Sequence, residues 1–381
     1  MRIYGSRTSY YSYTYSYTGK LESYPRDQAR RPHHPSGQLR ALVLAILILS
    51  ASAIGCGERG IAPPRIDRLG PATTELRNNS IRVATANLWG VSVLGIDWAD
   101  EIDIRFDEFA ERLSRNAPAL DIVLIQEAWK DSARRAMLAH PGVVQNFPHR
   151  VDALERPGGA GLVVLSRFPI ERAEFHRFEA QGSCLKFWEG DCLSGKGVLA
   201  VQLRIGEQLF WVGSTHLIAC YSSDDESETA CDEQDPNGDA RWSQLVEARQ
   251  FMESLIDETP GLLGGDFNLT RSSRYYPGMT SQTIPADPPS TEAKNPAARS
   301  QNGWSETGEQ DIVAQRIDYI WTRPGSRERW QARAAARLIF TEPVNLPSAE
   351  SIPISDHPIL TTPFCLVVGD SGPEVAICQR Q

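Results

Sequence analysis

Several familiar catalytic signatures are absent from this chain of 381 residues. It contains no Gly-x-Ser-x-Gly elbow and no Walker loop, which argues against a serine hydrolase and against a P-loop nucleotide hydrolase. It also contains no Cys-x-x-Cys pair, so a zinc or thioredoxin-type site has no support. No activated nucleophile is recognisable, and the chemistry has to come from other side chains.

An excess of positive charge is absent as well, because the formal net charge is −9. The first 56 residues hold seven Lys or Arg and two Asp or Glu, which leaves the remainder of the chain at −14. Tight non-specific binding to nucleic acid depends on neutralising phosphates with Lys and Arg, so this balance disfavours it. A metal-assisted nuclease with a locally basic groove stays open.

No apolar run is long enough to span a membrane as a helix. The run at 41–49 falls short of the roughly 20 residues that a spanning helix needs. It follows a basic segment, 26–40, and precedes small residues, which is typical of a secretory signal. Residues 53–56 resemble the bacterial lipobox, except that Leu usually stands where Ala53 is. The resemblance implies lipidation at Cys56, and an ordinary signal peptide cut nearby is the alternative.

Composition divides the chain into four parts. They are an export segment (1–56), a linker rich in Pro, Arg and Gly (57–79), a folded domain (80–365) and a C-terminal tail (366–381). The expected location is outside the cytoplasm, with the protein either lipid-anchored to the cell envelope or secreted.

Cysteine usage agrees with export. Six cysteines remain beyond Cys56, and an even number in an exported protein predicts disulfides. Sequence alone leaves every pairing open, and pairing between sequence neighbours is the simplest. The neighbouring pairs are Cys184–Cys192, Cys220–Cys231 and Cys365–Cys378.

Strands and helices alternate along the folded body, which predicts a mixed α/β layered domain. Apolar residues at helical spacing predict helices over 101–116, 131–140 and 241–257. Strands are predicted over 81–86, 121–127, 162–165, 198–203, 209–212, 262–265, 317–321 and 333–340. The continuous apolar runs among them indicate interior strands that are covered on both faces.

Polar side chains stand at the ends of these strands, where packing alone calls for no charge. They are Asn87, Glu127, His216, Asp266, Asn268, Asp318, Asp356 and His357. One such residue is usually a capped turn or a satisfied histidine, but a whole set at successive strand ends indicates a site. Carboxylate and amide oxygens suit Mg²⁺, with Mn²⁺ or Co²⁺ as substitutes, rather than zinc. Since histidines can move a proton, the set predicts attack of a metal-activated water on phosphorus.

At these residues the chain resembles the endonuclease/exonuclease/phosphatase superfamily, which has the deoxyribonuclease-I-like fold. The motifs that carry the resemblance are Ala86-Asn87, Gln126-Glu127, Thr215-His216-Leu217, Gly265-Asp266-Phe267-Asn268, Ile317-Asp318-Tyr319 and Ser355-Asp356-His357. They occur in the family's order and cover 81–364. The resemblance implies a four-layer α/β sandwich, in which two packed mixed β-sheets are flanked by helices.

The resemblance also implies a metal centre and a base. Glu127, helped by Asn87, would hold the catalytic Mg²⁺, and Asp356 would help to hold the metal or its water. His357 would be the general base, and Asp318 would orient it, as a carboxylate does for a catalytic imidazole.

Three further roles follow from the same resemblance. Asp266 and Asn268 would position the nucleophile and the phosphate. His216 would stabilise the crowded phosphorus transition state.

One segment points to a branch of the family. Residues 191–197 look like the Asp-x4-Lys-Gly segment of neutral and bacterial sphingomyelinases, in which the Lys lies near the substrate phosphate and the Asp partners it. The alternative for Asp191 and Lys196 is an exposed surface pair worth under about 1 kcal/mol. Those bacterial enzymes also carry an exposed aromatic hairpin, for which 187–188 and 275–276 are candidates, although paired aromatic residues are more often core.

The sequence therefore predicts a monomeric, exported, Mg²⁺-dependent phosphodiesterase. Its partner would be a phospholipid at a membrane surface, sphingomyelin or a related lipid, from which it releases the phospho-head-group. A secreted nuclease on the same scaffold is the alternative, and the acidic body disfavours it. A phosphomonoesterase is a weaker alternative, because it would need clustered Lys and Arg to bind a dense anion. A binding module with an inactive site is also disfavoured, because such a module would not need both histidines and the metal carboxylate.

Overall fold

Strands and short helices alternate through the part of the chain that can be described. The computed structural model describes residues 64–78, 80–93, 95–115, 119–153, 159–182, 195–220, 231, 235, 237–256, 258–281, 283–284, 304–306, 316–326, 328–368 and 375–376. The strands are β1 (Ile66–Arg68), β2 (Ile81–Asn87), β3 (Ser92–Val93), β4 (Ile96–Asp97), β5 (Ile122–Gln126), β6 (His149–Asp152), β7 (Val163–Ser166), β8 (Ile170–Arg177), β9 (Gly197–Ile205), β10 (Gln208–His216), β11 (Gly261–Asp266), β12 (Ser305–Glu306), β13 (Asp318–Arg323), β14 (Glu328–Ala332), β15 (Arg337–Ile339), β16 (Val344–Asn345), β17 (Ser351–Ile352), β18 (Ile359–Val368) and β19 (Val375–Ala376). The helices are α1 (Ile102–Arg115), α2 (Asp131–Ala139), α3 (Pro141–Asn146), α4 (Gly238–Ile256) and α5 (Pro277–Thr280).

Most of the strands belong to two large mixed sheets. The first sheet has the order β1-β6-β7-β5-β2-β18-β14, with β15 and β19 also paired to β18. The second has the order β12-β13-β11-β10-β9-β8. Each sheet contains one parallel pair near its centre, β2 with β5 and β10 with β11. The predicted pair of mixed sheets is confirmed.

Three apolar cores separate the layers. In β5, Ile122 and Leu124 face the core between the sheets, whereas Val123 and Ile125 face the core under α1, α2 and α3. This alternation follows from the two-residue period of a strand, and it makes an interior strand read as a continuous apolar run. A third core lies between the second sheet and α4 with α5. The order helix, sheet, sheet, helix confirms the four-layer sandwich.

Helix α1 shows how the sequence selects its face. Ile102, Phe106, Phe109 and Leu113 recur at helical spacing and are all buried under the first sheet. Asp103 in the first turn and the arginines of the last turn complement the helix dipole. The observed helix begins one residue after the predicted start, which is an ordinary difference at a helix terminus.

Several strands and boundaries differ from the predictions. The predicted strand at 333–340 is only β15, and β14 precedes it unpredicted. The strands β6, β8 and β18 also went unpredicted, and the sheet extends on both sides of 80–365 because β1 pairs with β6 and β19 with β18. Helix α4 begins at Gly238, three residues before its predicted start.

The described cysteines agree with export. Cys220 and Cys231 form a disulfide, which confirms one of the neighbouring pairs. Cys365 is disulfide-bonded too, while Cys184, Cys192 and Cys378 lie outside the described residues. None of the helices in the described ranges has the length and apolar character needed to cross a membrane.

Gly265 marks the tightest backbone approach beside the second sheet's polar end. Its φ is +150°, and a Cβ built on it would lie 1.9 Å from the Thr215 carbonyl oxygen of the paired strand. The obstacle is backbone, so Gly265→Ala has to force β10 and β11 apart. We expect the free energy of unfolding to fall by about 3 kcal/mol or more, measured by urea unfolding.

Gly206→Ala is the matched control for this prediction. Gly206 has a φ of +55° at the tip of the β9–β10 hairpin, with nothing within 4 Å of a built Cβ. Alanine at this position therefore lowers the free energy of unfolding only through the strain of a left-handed backbone, by about 1–2 kcal/mol. Equal losses in the two variants would contradict the close-approach argument.

Candidate active site

Strand register aligns three polar side chains of the second sheet. The parallel pairing of β10 with β11 sets His216 opposite Asp266, and the antiparallel pairing of β11 with β13 sets Asp266 opposite Asp318. Alternate residues of a strand share a face. Residues of the same parity lie in the core between the sheets: Val212, Leu262 and Ile320. The three polar side chains thus cap that core at one end.

The first sheet supplies residues from the other side of the gap between the two sheets. Asn87 ends β2, and Glu127 follows β5 with a φ of +56°. This left-handed conformation is uncommon for a residue with a side chain and is typical of functional sites. The Ser355 hydroxyl donates to the Asn87 carbonyl oxygen at 2.6 Å and accepts from the His357 backbone N–H at 3.1 Å. The turn before β18 is therefore anchored on the end of β2.

His357 joins the two sheets. Its Nδ1 lies 2.9 Å from Asp318 Oδ2, and its Nε2 lies 3.7 Å from Asp266 Oδ2. Burial by itself lowers the pKa of the imidazole, but the carboxylates of Asp318 and Asp266 together outweigh burial and raise the pKa of His357 well above its usual value. A bound divalent cation would oppose this rise in pKa. In the neutral imidazole, Nδ1–H donates to Asp318 and Nε2 is the atom left to act as a base.

Glu127 and Asp266 face each other across the same gap. The Asn87 amide donates to Glu127 Oε1 at 2.8 Å and to Asp266 Oδ2 at 3.0 Å. One ligand atom from each of Glu127, Asp266 and His357 lies within 4.8 Å of the others. The carboxylates of Glu127 and Asp266 converge at a spacing that suits a divalent cation, with the His357 imidazole beside them.

The carboxylates are held together at an electrostatic cost. Burial, and then the charge of Asp356, raises the pKa of Glu127 to about 7. Burial raises the pKa of Asp266 to about 6, against the opposing charge of His357 and with a smaller push from Asp318. Burial raises the pKa of Asp356 as well. A divalent cation would favour the charged form of all three groups.

Glu127 provides a direct test of whether the residues fit a metal. Its Oε2 is buried and has no hydrogen-bond partner within the described ranges. A buried acceptor without a partner is costly, and a cation would satisfy it. Carboxylate oxygens at this spacing are hard ligands of the kind that Mg²⁺ prefers. The residues fit a divalent cation.

Lys196 and His216 form the other side of the site. Lys196 Nζ lies 2.9 Å from His216 Nε2 and donates to the Leu217 carbonyl oxygen at 2.9 Å. Burial and then the Lys196 charge keep the pKa of His216 well below its usual value, so the imidazole is neutral and Nε2 accepts from the ammonium. His216 Nε2 also lies 3.5 Å from Asp266 Oδ2 and 3.7 Å from Glu127 Oε1. Lys196 is 1% exposed, so the surface-pair alternative is wrong for it.

Asn268 is fixed by the loop after β11. Its backbone N–H donates to Asp266 Oδ1 at 2.9 Å, and its side-chain amide donates to the Leu217 carbonyl oxygen at 2.9 Å. The left-handed φ of +50° brings the side chain back toward His216's strand. Asp266 is thereby oriented by backbone, and its Oδ2 is left to the cluster.

The structure brings most of the predicted residues into one cluster. These are Asn87, Glu127, Lys196, His216, Asp266, Asn268, Asp318, Asp356 and His357. Asp191 and Cys56 lie outside the described residues, as does the 187–188 hairpin candidate. The other hairpin candidate is wrong, because Tyr275 and Tyr276 are buried in the core against α4.

Two side chains of the site went unpredicted. The indole of Trp129 lies over the Lys196 ammonium (5.8 Å from Nζ to the ring centroid) and 5.7 Å from the His216 ring. The buried guanidinium of Arg105 donates to the carbonyl oxygens of Leu88, Trp89, Asp100 and Ile354. A signal existed for Arg105, since it lies three residues after Ile102 on the apolar face of α1.

Comparison with known proteins shows the family of the chain. The sequence matches the family described as Endonuclease/Exonuclease/phosphatase family over residues 84–357. The chain belongs to this family. The matched span begins in β2 and ends at His357, so it contains the whole cluster. Among solved structures, sphingomyelinase C from Streptomyces griseocarneus is similar with a TM-score of 0.51 at 21% identity, over 74% of this chain and 99% of that one, which shows a shared fold.

Curated relatives of this family member are more similar in sequence but longer. A protein of Drosophila melanogaster named "Putative neutral sphingomyelinase" is 26% identical over 281 residues, which cover 73% of this chain and 59% of the relative. An inositol phosphosphingolipids phospholipase C of Schizosaccharomyces pombe is 24% identical over 295 residues, covering 69% of this chain and 64% of the relative. The chain thus spans less than two thirds of the length of these curated relatives.

Proposed function

We propose that this family member is a divalent-cation-dependent phosphodiesterase that hydrolyses sphingomyelin or a related phospholipid and releases the phospho-head-group. One observation carries the proposal: His357, backed by Asp318, faces the Glu127–Asp266 pair with ligand atoms within 4.8 Å of one another. A base beside hard oxygen ligands suits attack of water on a phosphodiester. The names of the curated relatives support a sphingolipid substrate.

The base side of the site has a clear division of tasks. His357 Nε2 takes the proton of the attacking water, while Asp318 accepts Nδ1–H and stabilises the imidazolium that forms. Asp266 and Asn268 position the water and the phosphate. Water attacks phosphorus, and the bond from phosphorus to the lipid oxygen breaks. The proton taken up by His357 returns through solvent to the departing oxygen, which gives ceramide and phosphocholine when sphingomyelin is the substrate.

The other side of the site carries the positive charge. Glu127, Asn87 and Asp356 would hold Mg²⁺, and the bound cation would supply charge against the phosphate oxygens. Lys196 adds a buried ammonium, which His216 holds in place by accepting from it at 2.9 Å. Positive charge fixed before the reaction stabilises the crowded phosphorus transition state without reorganisation.

The location is part of the proposal. The Cys220–Cys231 disulfide is typical of an oxidising compartment. We propose that the protein is exported and acts at a phospholipid surface, held there through Cys56 or released.

Phosphocholine release from sphingomyelin vesicles by the purified full-length protein tests the proposal. We expect release with Mg²⁺, a loss of about 100-fold or more in EDTA, and recovery when Mg²⁺ is restored, since the cation contributes several kcal/mol of charge stabilisation. Plasmid DNA is incubated in parallel. Nicked DNA with intact lipid would show that the substrate is nucleic acid rather than lipid, which the same family allows. Release that survives EDTA would overturn the cation requirement.

A further inference from the structure

A second polar layer lies directly beneath the site. Thr85 and Ser214 stand two residues before Asn87 and His216 on their strands, and Gln126 ends β5 opposite Asn87; all three are fully buried. Thr85 Oγ1 donates to Gln126 Oε1 at 3.2 Å, and Gln126 Nε2 donates to Ser214 Oγ at 3.0 Å. The second of these bonds joins the first sheet to the second.

The layer is not explained by packing. One step further down, the same strands place Val83, Leu124 and Val212 in an ordinary apolar core. Buried polar side chains cost free energy unless they are hydrogen-bonded, and apolar residues of similar volume would fill this space without that requirement. An amide that is hydrogen-bonded through both its oxygen and its nitrogen, immediately under the site, therefore points to a role in positioning the site.

We infer that Gln126 is a positioning residue whose bond to Ser214 sets the separation of the two sheets at the level of the cation site. The contacts that build the site cross the same gap. They are Asn87–Asp266 at 3.0 Å, His216–Glu127 at 3.7 Å and His357–Asp318 at 2.9 Å. Glu127 follows Gln126 directly, and His216 lies two residues after Ser214, so any slip between the sheets moves the carboxylates apart.

The inference rests on the proposed cation site and is tested on the full-length chain with Mn²⁺ as the probe. Gln126→Met and Ser214→Ala each remove the bond between the sheets. We expect each to weaken Mn²⁺ binding about 10-fold in a calorimetric titration. This is the lower end of the loss seen when a residue that orients metal ligands, without binding the metal itself, is replaced. The double variant should bind Mn²⁺ no more weakly than either single variant, because both changes remove the same bond.

Thr361→Val is the matched control. Thr361 is as buried as Ser214, and its hydroxyl donates to the Val83 carbonyl oxygen at 2.9 Å within the first sheet. This variant should lower the unfolding temperature and keep the wild-type Mn²⁺ affinity. In the phosphocholine assay at saturating Mg²⁺, Gln126→Met and Ser214→Ala should lower kcat more than they raise KM, whereas the control should change neither.

Each outcome decides the matter. Additive losses in the double variant, or wild-type Mn²⁺ affinity in both single variants, would overturn the inference. Ser214→Ala removes one oxygen atom, so the test stands even if Gln126→Met does not fold. A wild-type protein that binds Mn²⁺ but releases no phosphocholine would refute the proposed substrate, and the Mn²⁺ titrations would still decide the role of Gln126. A wild-type protein that binds no Mn²⁺ would overturn both.

Discussion

Replacing His357 with alanine should lower phosphodiester hydrolysis by about 1,000-fold, within the range that general acid–base catalysis supplies. Nε2 lies at the carboxylate cluster, 3.7 Å from Asp266 Oδ2, while Asp318 holds Nδ1 at 2.9 Å. No other imidazole in the described ranges is oriented in this way. Since the imidazole acts on the attacking water in the transition state, kcat should fall and KM should change little.

Steady-state kinetics of Asp318→Asn and of the double variant test whether the two residues act together. Asp318→Asn should cost nearly as much as the loss of His357, and combining the changes should add little, because a base and its orienting carboxylate work as one unit. The control is His140→Ala. His140 also approaches a carboxylate, Glu111 Oε1 at 3.3 Å, and accepts from the Gly142 N–H at the start of α3.

The control should lose about 1 kcal/mol of stability, as removal of a helix cap does, and keep full activity. Residual activity of His357→Ala within about 10-fold of wild type would mean that the base is elsewhere.

Most of this site could be predicted from the sequence because its polar residues differ clearly from their apolar neighbours in the chain. Asp266 ends a short apolar strand, Asn268 follows it, and Glu127 follows a continuous apolar run, so each polar side chain stands out against its own neighbours. The period of two then places such residues on the inter-sheet face. The mixed α/β layering was predictable because interior strands and amphipathic helices carry distinct apolar patterns, whereas the four-layer order came from the resemblance to the family.

Other parts of the fold leave no local signal. Strand β8 lies at the edge of the second sheet, and its arginines and glutamates face outward, so it has no apolar run. Strand β18 contains Pro363, and a proline in a sequence argues against a strand. The proline is tolerated because the pairing of β18 with β14 begins at the next residue, Phe364. The bond from Gln126 to Ser214 joins residues far apart in sequence, and only the stacking of the sheets creates it.

Replacing Glu127 with glutamine should abolish cation-dependent hydrolysis while making the metal-free protein more stable. The folded-state pKa of Glu127 is about 7 because of burial and then Asp356, whereas the unfolded chain has a value of about 4.3. The folded state therefore holds the proton more tightly than the unfolded state. Stability decreases as pH rises from about 4.3, and the loss is complete above about pH 7.

Glutamine keeps the shape and removes this loss, so Glu127→Gln should be more stable than wild type by about 2 kcal/mol at pH 8 in EDTA. The difference should nearly vanish at about pH 4.5, where Glu127 is protonated in the folded protein. Urea unfolding at the two pH values measures both quantities. Glu253→Gln is the control, because Glu253 already accepts from Arg249 at 2.9 Å and Trp304 at 3.2 Å, and should lose stability instead.

Mg²⁺ should reverse the order of stability. A ligand that binds only the folded state at 100 times its Kd adds about 2.7 kcal/mol, and wild-type protein alone should gain it. Glu127→Gln should show no shift of its unfolding midpoint with Mg²⁺, because a neutral amide replaces the charged carboxylate that would face the cation. An Mg²⁺-dependent gain in the variant, or a metal-free variant less stable than wild type at pH 8, would show that Glu127 serves the fold rather than the cation.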